Sequence, residues 1–291
     1  MVRVQLPPQL VADARAFADG SREPAEPRNA ATVVLLRPGS EGPEVYLLRR
    51  QTTMAFASGM CVFPGGGVDP RDFDHATAWA GPGPTEWAAR LGTDEATARA
   101  LVCAAVRETF EESGVLLAGE SADTVVADTT ADEWEHDRAA LEARELAFTD
   151  FLERRGLVLR TDLLGVWAAW LTPVFEPRRY RTWFFVADLP EGQRTRDVST
   201  ESDHVTWLPA MQAVADVEQQ QMLMLPPTYL TCLEVGQYAD PAAVLDAARD
   251  RTVEMYMPEV EQADDGGTLS IPPRLEALLA TRSAAGSGAG P

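Results

Sequence analysis

The chain of 291 residues contains no lysine; all 25 of its basic residues are arginine, against 45 acids, for a formal charge of −20. A surface of that sign argues against non-specific nucleic-acid binding, which needs a basic footprint. Any anionic substrate must therefore be met by a local arginine cluster or by a metal ion. Cysteine is scarce as well. Cys61, Cys103 and Cys232 are odd in number and widely spaced, which excludes a disulfide framework and shows no zinc spacing. Buried, reduced thiols in a cytoplasmic protein are the expectation. No run of about 18 apolar residues occurs, so no membrane span is expected. Met1 to Gly20 lacks the apolar core of a signal peptide. The hydrophobic content of 45 % is ordinary for a globular protein.

The densest chemistry lies in Arg107-Glu108-Thr109-Phe110-Glu111-Glu112-Ser113-Gly114-Val115. Read as a helix, this stretch places Glu108, Glu111 and Glu112 within an arc of roughly 100°. Val102, Cys103, Val106 and Phe110 take the opposite side and are expected to face a core. Glu108 and Glu112 form a like-charged i,i+4 pair, which destabilises an isolated helix. A hard cation such as Mg²⁺ or Mn²⁺ prefers carboxylate oxygens and would relieve that repulsion. The alternative is a plain solvated face, the usual fate of acidic helix residues. Asp94 or Thr93 is expected to cap this helix at its start, and Gly114 to end it. Upstream, Phe63-Pro64-Gly65-Gly66-Gly67-Val68-Asp69 is a glycine-rich turn through which backbone can approach a phosphate or metal.

Together the two segments resemble the Nudix hydrolase signature, a glycine loop followed by a helix carrying Arg-Glu-x-x-Glu-Glu-x-Gly. Thr109 stands where an aliphatic residue is usual. The family spaces the arginine 14 positions after the second glycine; here Gly66 to Arg107 is 41 positions, so 27 residues are extra. The glutamate expected eight positions before the arginine is Arg99. A split motif of this kind is similar to the coenzyme A diphosphatases that carry an insertion inside the box. Leu47-Leu48, Arg49-Arg50 and Gly59 through Phe63-Pro64-Gly65-Gly66 resemble the segment upstream of the box in such enzymes. The resemblance runs from about Ala31 to about Leu233.

The resemblance implies an α/β fold, a Nudix α/β/α sandwich with a mixed sheet and helical insertions. It implies a metal-dependent enzyme cutting the diphosphate of a nucleoside diphosphate derivative, with coenzyme A or acyl-coenzyme A favoured. Other substrates (ADP-ribose, a dinucleotide) and a non-catalytic nucleotide sensor are the alternatives. Glu108, Glu111 and Glu112 are expected to hold Mg²⁺ or Mn²⁺ together with the carbonyl of Gly65. Arg107 is expected to orient Glu111, and Glu108 or Glu201 to take a proton from water. Arg49, Gly59, Phe63 and Gly66 are expected at the substrate, as are Arg178 and Arg179 in the basic run Arg178-Arg179-Tyr180-Arg181. A small-molecule substrate is the expected partner, with no nucleic acid and no membrane, and the family leaves room for a homodimer.

For the chain as a whole, residues 1–28 read as an extension, 29–282 as one domain, and 283–291 as a low-complexity tail expected to be disordered. The insertion at about 70–96 holds Trp79 and Trp87. Short helices forming a flap beside the site, or packing against the sheet, are its two readings. A single amphipathic helix is expected over residues 137–153, and Trp167 and Trp170 are expected in the core.

Overall fold

The computed structural model describes residues 5–6, 8–53, 57–74, 78–263 and 266–287. In chain order the elements are β1 (Gln5–Leu6), α1 (Pro8–Ala18), β2 (Arg28–Gly39), β3 (Gly42–Arg50), β4 (Cys61–Val62), β5 (Gly65–Gly67), β6 (Trp79–Ala80), α2 (Pro84–Leu91) and α3 (Glu95–Ser113). There follow β7 (Ala118–Gly119), α4 (Asp132–Glu142), α5 (Phe148–Arg155), β8 (Val158–Arg160), β9 (Gly165–Leu171), β10 (Tyr180–Asp188) and β11 (Ser202–Pro209). The chain closes with α6 (Ala210–Glu218), α7 (Pro226–Val235), α8 (Pro241–Ala248), β12 (Met255–Tyr256), β13 (Val260–Ala263), β14 (Gly266–Leu269) and α9 (Pro273–Ser287). The first five residues of the stretch expected to be disordered are thus helical, and 288–291 lie outside the described residues.

The central sheet runs β11-β3-β2-β10-β9-β12, with β4 added to β3 and β5 to β2. It is mixed: β10 lies parallel to β2, while β3 and β5 run antiparallel to it. Residues of period two divide the sheet's sides between two apolar layers. Val33, Leu35, Tyr46, Leu48 and Phe185 join the core that holds α3, α2 and α5. Val34, Leu36, Val45, Leu47 and Val186 join the core that holds α6, α7 and α8. This is the three-layer α/β/α arrangement the resemblance implies.

Local sequence accounts for the frame around α3. Its N-cap is Asp94, whose carboxylate accepts the Thr97 N–H at 2.9 Å. Gly114 ends it at φ 74°, a left-handed conformation natural to glycine, and donates its N–H to the Phe110 carbonyl. Thr109 is fully buried and its hydroxyl bonds the Ala105 carbonyl at 2.8 Å. With its polar atom satisfied inside the helix, it fills an aliphatic position.

One expectation about helices changes. The single helix expected over 137–153 is two, α4 and α5, separated by Arg144 at φ 61°. Of the two readings of the insertion, packing against the sheet is the one that Trp87 follows. Trp87 of α2 is fully buried and meets Phe185 of the sheet edge-on at 5.8 Å. Trp79 lies under the Arg99 guanidinium, 4.9 Å from its centroid. Trp167 and Trp170 are in the core, and all three cysteines are free and buried.

Candidate active site

The acidic side of α3 is not a solvated face. Glu111 and Glu112 are each 8 % exposed, and Glu108 lies almost as deep. Strand β5 brings the glycine turn onto them. The Gly65 N–H donates to Glu112 Oε2 at 2.7 Å. A Cβ at Gly66 would fall 2.5 Å from Glu108 Oε1, so any larger residue must push that carboxylate away from the chain. A Cβ at Gly65 would strike the Ala31 carbonyl of β2 at 2.5 Å. Gly65 is therefore required by the closeness of turn and sheet, and Gly66 leaves the space that the Glu108 carboxylate takes.

Arg107 ties the other side of the cluster. Its Nη1 donates to Glu108 at 2.8 Å and to Glu111 at 3.2 Å, as the expected orientation of Glu111 requires. Its Nε and Nη2 form a bidentate pair with Asp72, both at 3.0 Å, and Nη2 also reaches the Gly67 carbonyl. Asp72 is 2 % exposed and sits in a short 3₁₀ turn, Pro70–Phe73, capped by Asp69. Sequence reasoning missed it by counting back from the arginine, which leads to Arg99. Counting forward gives the signal: a residue eight before and an arginine 14 after the second glycine imply position 66 + 6 = 72. The insertion therefore begins after the acidic residue of the box.

Glu201 is the residue before β11, the edge strand beside β3. It pairs with Arg50 at 2.9 Å, and its charge is felt by both Glu108 and Glu112. Arg50, like Asp72, was not foreseen. Burial pushes the carboxyls of Glu108 and Glu112 up; Arg107 opposes this at Glu108, and the Glu108 charge adds to it at Glu112. Burial and then the Glu108 charge lift Glu111 to about 7. Burial disfavours the charged Arg107, but Glu108 and Asp72 outweigh it and hold the guanidinium protonated.

The remaining candidates divide. Arg49 is half exposed and paired with Asp203 at 2.6 Å, beside Glu201 in sequence. Gly59 has φ 70° and donates its N–H to Arg50, so it shapes the β3–β4 turn. Phe63 is not at a surface open to substrate: it is buried against Phe184 of the sheet, edge-on at 6.4 Å. Arg179 is not free to clamp a phosphate either. Its Nε donates to the Thr172 carbonyl, Nη1 to that of Ala25, and Nη2 to the Met257 sulfur, so it braces three segments. Arg178 is exposed.

Among the described residues no group of three or more His, Cys, Asp or Glu side chains is arranged as a ready ligand cage. The donor chemistry nonetheless fits a hard dication. Of four buried or near-buried carboxylates, Asp72, Glu108 and Glu111 pair with the Arg107 guanidinium, and Glu112 has only the Gly65 N–H among the described residues. Such an excess of buried negative charge is costly unless compensated.

The model of the NUDT19 Nudix domain family matches residues 88–234, which include α3 and Glu201 but not the glycine turn. A putative nudix hydrolase 7 of Caenorhabditis elegans is 26 % identical over 218 residues, 73 % of this chain and 62 % of that protein. The chain thus spans less than two thirds of that relative's length. The acyl-coenzyme A diphosphatase NUDT19 of Xenopus laevis is 24 % identical over 270 residues, covering 79 % of this chain and 70 % of the relative. In three dimensions the fold is similar to a NUDIX hydrolase from Alicyclobacillus acidocaldarius: TM-score 0.65, 27 % identity, 79 % of this chain and 99 % of that one.

Proposed function

The chain belongs to the NUDT19 Nudix domain family of the Nudix hydrolases, and from that premise we propose that it is a divalent-metal-dependent diphosphatase acting on coenzyme A or acyl-coenzyme A. The products are 3′,5′-ADP and (acyl-)phosphopantetheine. The observation that carries this reading is the buried acidic side of α3 under the Gly65-Gly66 backbone. The substrate preference is supported by relatives named acyl-coenzyme A diphosphatases.

Glu108, Glu111, Glu112 and the Gly65 carbonyl would hold Mg²⁺ or Mn²⁺. A dication held there would supply charge neutralisation of the diphosphate and activation of water. The protein's own groups do the rest. Asp72 fixes the Arg107 guanidinium, and Arg107 in turn fixes Glu108 and Glu111. The Gly65 N–H restrains Glu112. Glu108, or Glu201 held by Arg50, accepts the proton released by water. Retention of every helical carboxylate favours an enzyme over a nucleotide sensor. Purified protein with Mg²⁺ or Mn²⁺ is to be incubated with coenzyme A, acyl-coenzyme A, ADP-ribose and a diadenosine polyphosphate, and the products weighed. Preferential release of 3′,5′-ADP supports the reading; preferential cleavage of ADP-ribose or the dinucleotide rejects it.

A further inference from the structure

Away from the acidic side of α3, one hollow of about 320 Å³ is lined by Trp167, Trp170, Arg251 and Arg274. Both of its arginines are bound to Glu234, which leaves it little charge to offer a ligand. A second hollow, of about 360 Å³, differs. It is lined by Glu26, Arg28, Arg178, Arg179 and Tyr180. Arg179 is held by backbone carbonyls rather than by a bound carboxylate. Burial first and the neighbouring Arg181 second push its guanidinium down, and Glu26 opposes them only in part. Arg181 takes up Glu26, the acid lining this hollow. Arg28 and Arg178 are exposed, and neither is ion-paired to any described residue. In a chain of net charge −20, such a cluster is where an anion is drawn in.

Its place in the fold relates it to the active site. Tyr180 pairs with Arg28 across β10 and β2, while Gly67 pairs with Ala30 across β5 and β2. The hollow thus lies at the end of β2 that carries the glycine turn. At the rise of a strand, Arg28 is roughly 7 Å along β2 from the partner of Gly67 and 13 Å from that of Gly65.

We propose that Arg28 and Arg178 form a subsite for a phosphomonoester that the substrate carries apart from its scissile diphosphate. Each guanidinium offers phosphate a two-pronged fork, and Arg179 adds charge from behind. On the coenzyme A reading, on which this inference rests, the group is the 3′-phosphate of the ribose.

The test titrates 3′,5′-ADP and 5′-AMP into metal-free protein, alongside R28A and R178A. It also compares hydrolysis of coenzyme A with that of dephospho-coenzyme A. Unmodified protein should prefer the ligand with the 3′-phosphate, and each substitution should cut that preference roughly tenfold, the scale of one charged hydrogen-bonded contact. R178K should retain part of it. Equal affinity for the two nucleotides, or a preference that survives both substitutions, overturns the subsite. Should the unmodified protein cleave neither coenzyme A nor its dephospho form, the proposed function falls, and the nucleotide titration still decides the subsite. Coenzyme A cleavage with an unaltered preference in R28A and R178A removes the subsite and leaves the function standing.

Discussion

The bidentate pair between Asp72 and Arg107 joins the turn just before the insertion to the acidic side of α3. In D72A, Arg107 Nε and Nη2 each lose a partner at 3.0 Å, and the Asp69 N–H loses the one it has at 2.8 Å. Breaking a buried ion pair from one side costs about 3–5 kcal/mol. Arg107 keeps Glu108, Glu111 and the Gly67 carbonyl, which places D72A near the lower end, about 3 kcal/mol. D72N retains one acceptor oxygen and should cost about half of that, on the scale of a single charged hydrogen bond. Urea unfolding of the metal-free proteins reads these differences. Turnover should fall too, because an unrestrained guanidinium settles on Glu108 and Glu111, the oxygens needed for the metal. A misplacement of that kind is worth roughly a hundredfold in rate. If D72A loses less than about 1 kcal/mol and turns over normally, Asp72 is not the anchor of the site.

Further outcomes follow from the same geometry. Burial raises the folded-state pKa of Glu111 to about 7 from the ordinary glutamate value of 4.5, so its contribution to stability is complete below 4.5 and lost as pH rises through 7. In EDTA the Tm of the unmodified protein should therefore fall over that range more steeply than that of E111Q; parallel curves would contradict the burial of this carboxyl. G66A puts a methyl 2.5 Å from Glu108 Oε1 and should cut turnover roughly a hundredfold with the fold intact by circular dichroism; normal turnover would mean Glu108 need not sit there. R179A should destabilise by about 2 kcal/mol through loss of its carbonyl contacts, and an equally stable variant would reject its role as a brace. W87A should cost about 3–5 kcal/mol as a large deletion in the core, whereas a flap residue would leave Tm unchanged.

How far the sequence carried depended on whether the signal was local. The cap Asp94, the stop Gly114 and the apolar side of α3 are written within a few residues of where they act. The acidic side was legible as a pattern, but its burial was not, because β5 and Asp72 arrive from more than thirty positions away. Asp72 was hidden by the insertion, which shifts the count on one side of the box and not on the other. Phe63 and Arg179 stand in motifs that suggest contact with substrate, yet Phe184 and the carbonyls of Ala25 and Thr172 claim them. Periodicity continued across Arg144, where a left-handed residue splits one expected helix into α4 and α5. Trp79 and Trp87 were legible as apolar, but only the packed sheet shows that Trp87 is core.

The central claim is that the buried carboxylates of α3 serve metal-assisted attack of water on a diphosphate. One measurement addresses it directly: mass analysis of coenzyme A hydrolysis in ¹⁸O-labelled water with Mg²⁺, comparing the unmodified protein with E112Q. The account predicts 3′,5′-ADP and phosphopantetheine, one of them carrying a single ¹⁸O, a reaction abolished by EDTA and nearly abolished in E112Q. Full turnover in E112Q, or in EDTA, would contradict it.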